Sequence, residues 1–340
     1  MKRSYLKRKL SDRDTSNKKR KISSEPIAYR TRSRQRIITS PSLVHPVCWI
    51  SATSIRNFIL NDTLVDWIIL KNKNWAYTQT LNITEDNTND SFIKFIMTRG
   101  CQFETSLIKY INNTTPIITI SDKITPDTVA ETIRNMKNGV PIIHSAPVRN
   151  YNNKTQGVID LLVRSDYLHR IVNTCPLTSN EQKIRAPNLN GNYHYVVIDI
   201  KFSTLPLRAN GIHLLNTVSY PAYKAQCFIY TQAIGQIQGY MSRYAYIMGR
   251  RWYYKNKDII YQNLTCTDRL GVIDYETVDI DYVQKTENAL KWVIDVRTNG
   301  KNWSVNPPSR DELYPNMCRH GLYDKEKKEI ANNIAELTSM

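Results

Sequence analysis

The sequence is poor in the spacings that sulfur chemistry needs. Its six cysteines (Cys48, Cys101, Cys175, Cys227, Cys266 and Cys318) are scattered over 340 residues without a C-x-x-C pair. That argues against a disulfide framework and against a zinc site, and it fits a reducing compartment. Cys318 and His320 stand close together but lack a second ligand pair. Long apolar runs are missing too: none reaches the ~18 residues that a membrane helix needs. The basic N-terminus has no apolar segment of the signal-peptide kind, so a protein neither secreted nor membrane-bound is expected. There is no P-loop, no G-x-G-x-x-G after a strand and no G-x-S-x-G, which sets aside the nucleotide-cradling and serine-hydrolase classes.

Acid is scarce beside base. Lys and Arg number 47 against 30 Asp and Glu, a net charge of +17. Residues 1–40 hold fourteen of the basic residues and three acids, which is +11 of that total. Having almost no apolar periodicity, this stretch reads as a disordered basic tail. Its KRK at 7–9 and KKRK at 18–21 resemble a bipartite nuclear-import signal. The same charge binds any polyanion by releasing counterions. Both readings point to an anionic partner inside the cell, nucleic acid first: DNA, with RNA left open, and no membrane.

With 41% hydrophobic residues the rest of the chain can bury a sizeable core. At roughly 150 residues per domain the length allows one large domain or two small ones. Residues 41–90 read as a helical N-terminal part. Ile55, Phe58 and Ile59, then Val65, Ile68 and Ile69, recur at helical spacing before a polar loop at 82–90. Residues 91–340 read as the main domain with a C-terminal extension. Helices are predicted over 91–111 and 126–138, the second with Pro126 near its start and Gly139 after its end. Strand-like runs follow at 140–144, 157–164 and 193–202. The long aromatic stretch 221–249 reads as helix, then come a strand-like region at 270–280 and helices at 286–297 and 325–337. The order predicts an α/β fold, a central mixed sheet flanked by helices.

Acid-x-Lys occurs at Glu181–Lys183, Asp199–Lys201 and Glu326–Lys328. Only Asp199-Ile200-Lys201 lies in an apolar strand, after Tyr195, Val196, Val197 and Ile198. Residues i and i+2 share a strand face, so Asp199 and Lys201 project together. Charges on so apolar a strand are costly unless paired or metal-bound. Gly157-Val-Ile-Asp160 is a second apolar strand with a lone carboxylate. If the two strands are neighbours, Asp160 and Asp199 can share a divalent cation, and their hard oxygens favour Mg²⁺ or Mn²⁺. Lys201 would then orient or help deprotonate an attacking water and neutralise phosphate charge. Gln226 and Tyr230, four apart on a helix, face the same way. Gly271-Val-Ile-Asp274 and Asp295-Val-Arg297 echo the pattern. Arginine keeps its proton, however, and Asp295 follows a helical period, so these have a structural role.

Arg99-Gly-Cys-Gln-Phe-Glu104 on a helix, His144 ending a strand, Gly157-x-x-Asp160, Asp199-x-Lys201 and Gln226-x-x-x-Tyr230 together resemble the PD-(D/E)xK nuclease superfamily, in its RecB-like and lambda-exonuclease-like branch. They span residues 99–230. The segment Glu312-Leu-Tyr-Pro-Asn-Met317 and the helix after it are similar to uncharacterised RecB-type proteins of large DNA viruses. The resemblance implies a restriction-endonuclease-like fold. It implies a Mg²⁺- or Mn²⁺-dependent deoxyribonuclease of viral DNA replication, repair or recombination, in a host nucleus, virus factory or virion. By resemblance Asp160, Asp199, the Ile200 carbonyl and His144 hold the metal. Lys201 is the catalytic lysine, with Asp199 and Glu104 completing the site, and Gln226, Tyr230 and Arg99 touch the nucleic acid. The iron–sulfur cysteines of some members have no counterpart here, so no cluster is implied. The alternative function is a nucleic-acid-binding or packaging protein on a nuclease-like fold without catalysis.

Overall fold

The apolar run Tyr195–Ile200 is buried at every position, as a strand covered on both faces must be. The rest of the fold is arranged around it. The computed structural model describes residues 49–75, 91–321 and 323–338. The basic tail with its import-like signal and the polar loop at 82–90 lie outside the described residues.

The chain enters through β1 (Ile50–Ser51), a 3-10 turn at Ala52–Ile55, and helices α1 (Arg56–Ile59) and α2 (Leu64–Asn72). Then come α3 (Ser91–Asn112), β2 (Ile117–Thr119), α4 (Pro126–Lys137), β3 (Ile142–Asn150) and β4 (Thr155–Arg164). Next are β5 (Tyr195–Leu207), α5 (Tyr220–Gln238), β6 (Tyr244–Asn256), β7 (Ile259–Asn263) and β8 (Gly271–Asp274). Helices α6 (Asp281–Asn299) and α7 (Asp324–Thr338) follow. The eight strands form one mixed sheet in the order β2-β3-β4-β5-β6-β7, with β1 beside β4 and β8 beside β6. Strands β3, β4 and β5 run antiparallel in turn, and β5 pairs parallel with β6 across α5. A parallel neighbour requires such a crossover. One core lies between the sheet and α5 and α6, holding Phe228, Ile229, Ile234, Leu290 and Val293. A second lies under α3, where Leu107 and Ile111 join Ile198, Ile200 and Met248. The α/β reading with a mixed sheet flanked by helices therefore holds, and no described helix is long and apolar enough to cross a membrane.

Local chemistry explains most boundaries. Thr125 and Thr128 cap α4 reciprocally, with Pro126 at its first turn and Gly139 at φ 71° just past its end. Two boundaries correct the sequence reading. The helix expected over 221–249 stops at Gly239, which takes the left-handed φ of 74° that closes α5. The apolar run after it is β6, because apolar and aromatic residues suit a buried strand as well as a helix. Likewise His144 does not end its strand but stands near the start of β3, which continues to Asn150. Pro147 lies inside β3, beyond the short β2 pairing and opposite Val158 of β4.

His194, just before β5, is buried with its Nδ1 3.2 Å from the Ile184 carbonyl and its ring edge-on to Tyr240. Burial lowers its pKa to about 4. The unfolded chain takes up this proton near pH 6.5 and the folded chain near 4, so stability is lost as pH falls between those values. The loss is about 3 kcal/mol at most. Urea midpoints between pH 7 and 4 are expected to fall for the wild type and to fall less for His194→Gln. Parallel slopes would show that this histidine is not the cause.

Candidate active site

The ladder between β4 and β5 runs from Arg164↔Tyr195 to Leu161↔Ile198 and ends there. One step further, the register sets Asp160 opposite Asp199. The strands part at this level, and the Ile200 N–H donates to Asp160 Oδ2 at 2.7 Å. Strand β3 is distorted alongside without a change of register: Ser145, between the His144↔Leu161 and Ala146↔Ile159 pairs, has φ 53°. Ile143 and Ala146 on β3 pack in one core, as do Ile159 and Leu162 on β4. Residues three apart share a side, so both strands lose their two-residue alternation here. Backbone strain of this kind concentrates at functional sites.

Lys201 bridges the gap. Its Nζ lies 2.7 Å from Asp199 Oδ2 and 3.9 Å from Asp160 Oδ2. The two carboxylates are thus well within a nanometre of each other. The Asp199 side chain is 2% exposed, those of Asp160 and Lys201 26% and 23%, so the cluster has a buried floor and an open rim. Asp199 Oδ2 is buried without a hydrogen bond of ordinary geometry; the ammonium is its counter-charge. Burial, then the Asp199 charge, push the Asp160 carboxyl above the usual range, against Lys201 and the Ile200 N–H. Burial opposes the charge on Lys201, but Asp199 and Asp160 more than offset it and raise its pKa. Lys201 is therefore held as a cation, not as a base. The buried Cys227 thiol beside the cluster is pushed up by burial and by Asp199.

Glu104 reaches the rim from α3 and adds negative charge toward Asp160. Its Oε1 lies 3.1 Å from His144 Nε2, and His144 Nδ1 lies 3.1 Å from Thr119 Oγ1. Both ring nitrogens of His144 are thus engaged by protein, and as placed it steadies Glu104. Arg99 lies on the exposed part of α3, bonded to Gln102 and stacked over Phe95 within its own helix; its observed contacts do not include the carboxylates. Ile200 gives its N–H to Asp160 and its side chain to the core under α3.

A cavity of about 220 Å³ opens beside Lys201, lined by Ala52, Thr53, Arg56, Ala222, Tyr223 and Gln226. Tyr223 serves two cations: Lys201 Nζ is 5.0 Å and the Arg56 guanidinium 5.8 Å from its ring centroid. Arg56 also donates to Ser219 Oγ at 2.8 Å. Sequence reasoning missed both residues. Tyr223 had a signal, standing three before Gln226 on the same helix. Arg56 had none, since only the fold brings it here. Tyr230 is a correction: it is buried, so it does not touch a nucleic acid. Gln226 Nε2 donates to its hydroxyl at 3.0 Å, which makes Tyr230 the support of Gln226.

The echoes of the motif are occupied elsewhere. Arg243 grips Asp274 with two bonds of 2.8 and 2.6 Å, which with Thr277 hold its carboxyl down to about 2 despite burial. Asp295 pairs with Arg310 at 2.6 Å. Glu181 bonds Thr178, and Lys327 of the third triplet is buried against Asp62 at 3.2 Å. Among the described residues no three Asp, Glu, His or Cys side chains form a preassembled metal cluster. No protein-family model matches this sequence, and no curated protein matches it either.

Gly157 meets the Tyr230 ring so closely that an added Cβ would lie 2.5 Å from Cε1. Gly157→Ala is expected to cost about 1–3 kcal/mol in urea unfolding. Pairing it with Tyr230→Leu should cost clearly less than the two changes summed. Strict additivity would mean that the ring is not what the methyl strikes.

Proposed function

We propose that this chain is a metal-dependent nuclease of PD-(D/E)xK type, hydrolysing DNA phosphodiester bonds. The observation that carries the reading is the meeting of Asp160, Asp199 and Lys201 at an open rim where β4 and β5 part. The strand order supports it, with three antiparallel strands followed by a crossover helix and a parallel fourth. The donor set fits a divalent cation: two hard carboxylates, one with a buried oxygen that lacks a well-formed hydrogen bond. Asp160, Asp199 and the Ile200 carbonyl would hold it. A bound Mg²⁺ or Mn²⁺ supplies Lewis acidity and a water of lowered pKa.

The protein's own groups do the rest. Lys201, kept cationic by its neighbours, balances charge that develops on the scissile phosphate. Arg56 and Gln226 line the cavity beside it and position an adjacent phosphate. Glu104, steadied by His144, holds a water at the rim by hydrogen bonding. A second reading, binding without cleavage, draws on the tight Asp199–Lys201 pair, in which the ammonium already balances the buried carboxylate.

Labelled DNA incubated with Mg²⁺ or Mn²⁺ decides between them. Cleavage that stops with EDTA is expected, falling at least about a hundredfold in Asp160→Ala, Asp199→Asn and Lys201→Ala. Asp274→Ala should cut at the wild-type rate while unfolding at lower urea. Binding without cleavage by the wild type would favour the second reading. Equal loss in Asp160→Ala and in folded Asp274→Ala would reverse the choice of strands.

A further inference from the structure

Strands β6 and β7 continue the sheet as a hairpin, and alternate residues Arg251, Tyr253 and Lys255 share one face of β6. Between residues 250 and 263 the bases Arg250, Arg251, Lys255 and Lys257 stand against one acid, Asp258. Asp258 is fully exposed and 3.7 Å from Lys255, a pair that water and salt weaken. On that face Tyr253 stands exposed between Arg251 and Lys255, and the exposed Ile260 of β7 lies opposite Lys255. The hairpin is stiffened from its other face, where Trp252, Tyr254 and Tyr261 stack in sequence and Arg269 covers Trp252.

The base of the hairpin touches the segments that carry the carboxylate cluster. Arg250 lies 4.8 Å over the ring of Phe202, the residue after Lys201. Phe202 packs against Phe103, the residue before Glu104, at 5.7 Å. Arg251 Nε donates to Thr204 Oγ1 on β5 at 2.9 Å.

Cations spaced along a strand with an exposed aromatic ring between them match the chemistry of single-stranded nucleic acid. Phosphates meet the Arg and Lys side chains, and an unstacked base lies on the Tyr253 ring. A duplex keeps its bases stacked inside and leaves that ring unused. We propose that the β6–β7 hairpin is a single-strand platform for the strand running to or from the Asp160–Asp199–Lys201 site. The proposal rests on the nuclease reading for the strand's destination, but the binding itself is measurable without cleavage.

The test uses the full chain in EDTA and fluorescent DNA, either a blunt duplex or the same duplex with an oligothymidine tail of about ten nucleotides. The tail is expected to raise wild-type affinity about tenfold. In Arg251→Ala/Tyr253→Ala/Lys255→Ala the gain should vanish, with blunt-duplex affinity unchanged. The salt slope for tailed DNA should be shallower by about 1.4, two phosphates at ~0.7 each. In the wild type, 5-iodouracil in the tail should photo-cross-link to Tyr253, a readout independent of how the variant folds. A tail that adds nothing, a folded variant that keeps the gain, or adducts confined to residues 1–40 would overturn the platform. So would a variant that turns a dimer into a monomer with nucleic-acid affinity intact. If the tail effect appears but Mg²⁺ brings no cleavage, the platform stands and the nuclease reading falls.

Discussion

Two carboxylates brought together where a strand ladder ends need a cation between them, and Lys201 provides one. Like charges side by side in a partly dry setting raise each other's affinity for protons. The ammonium, 2.7 Å from one carboxylate and 3.9 Å from the other, counters that tendency. The remaining features of the cleft follow from this balance. The parting of β4 and β5 gives Asp160 its open rim, the Ile200 N–H fixes its orientation, and Tyr223 offers its ring to both Lys201 and Arg56.

The protein holds other buried lysines, and their surroundings differ in kind. Lys224 Nζ donates to the Leu214 carbonyl, Asn216 and Asp279, all between 2.6 and 2.8 Å, and its side chain is wholly buried. Lys327 is likewise surrounded, by Asp62 and by the carbonyls of Asn316 and Arg319. Such lysines are saturated: every proton has an acceptor and no water or ligand can approach, so they fasten one segment to another. Lys201 has carboxylates on one side and a cavity on the other. Saturation, rather than burial alone, separates a structural charge from one placed to meet a ligand.

The cluster was legible because it rests on short-range rules. Period-two alternation places Asp199 and Lys201 on one face, and an apolar strand makes their charge conspicuous. That Asp160 lies opposite Asp199 required a guess about strand neighbours, which the register supports. The unread parts depend on distance or on ambiguity. Arg56 reaches the cavity only because the 3-10 turn and α1 pack on α5, a contact that local sequence does not encode. The stretch after Gly239 suits helix and strand alike, so β6 was hidden within an apparent helix. Tyr230 has the composition of a ligand-facing residue, yet Gly157 makes the hole that swallows its ring, and that fit appears only once both strand and helix are in place.

The shared ring of Tyr223 also bears on how the cleft comes into being. Arg56 belongs to the first described segment, and its aromatic partner belongs to a helix laid down after the first five strands. During synthesis the guanidinium emerges long before the surface that receives it. Such contacts between distant parts of a chain are slow to form and arrive late. The basic wall of the cavity is therefore among the last pieces to be fitted, and a chain interrupted before α5 would carry Asp160, Asp199 and Lys201 without Tyr223 and Gln226 beside them.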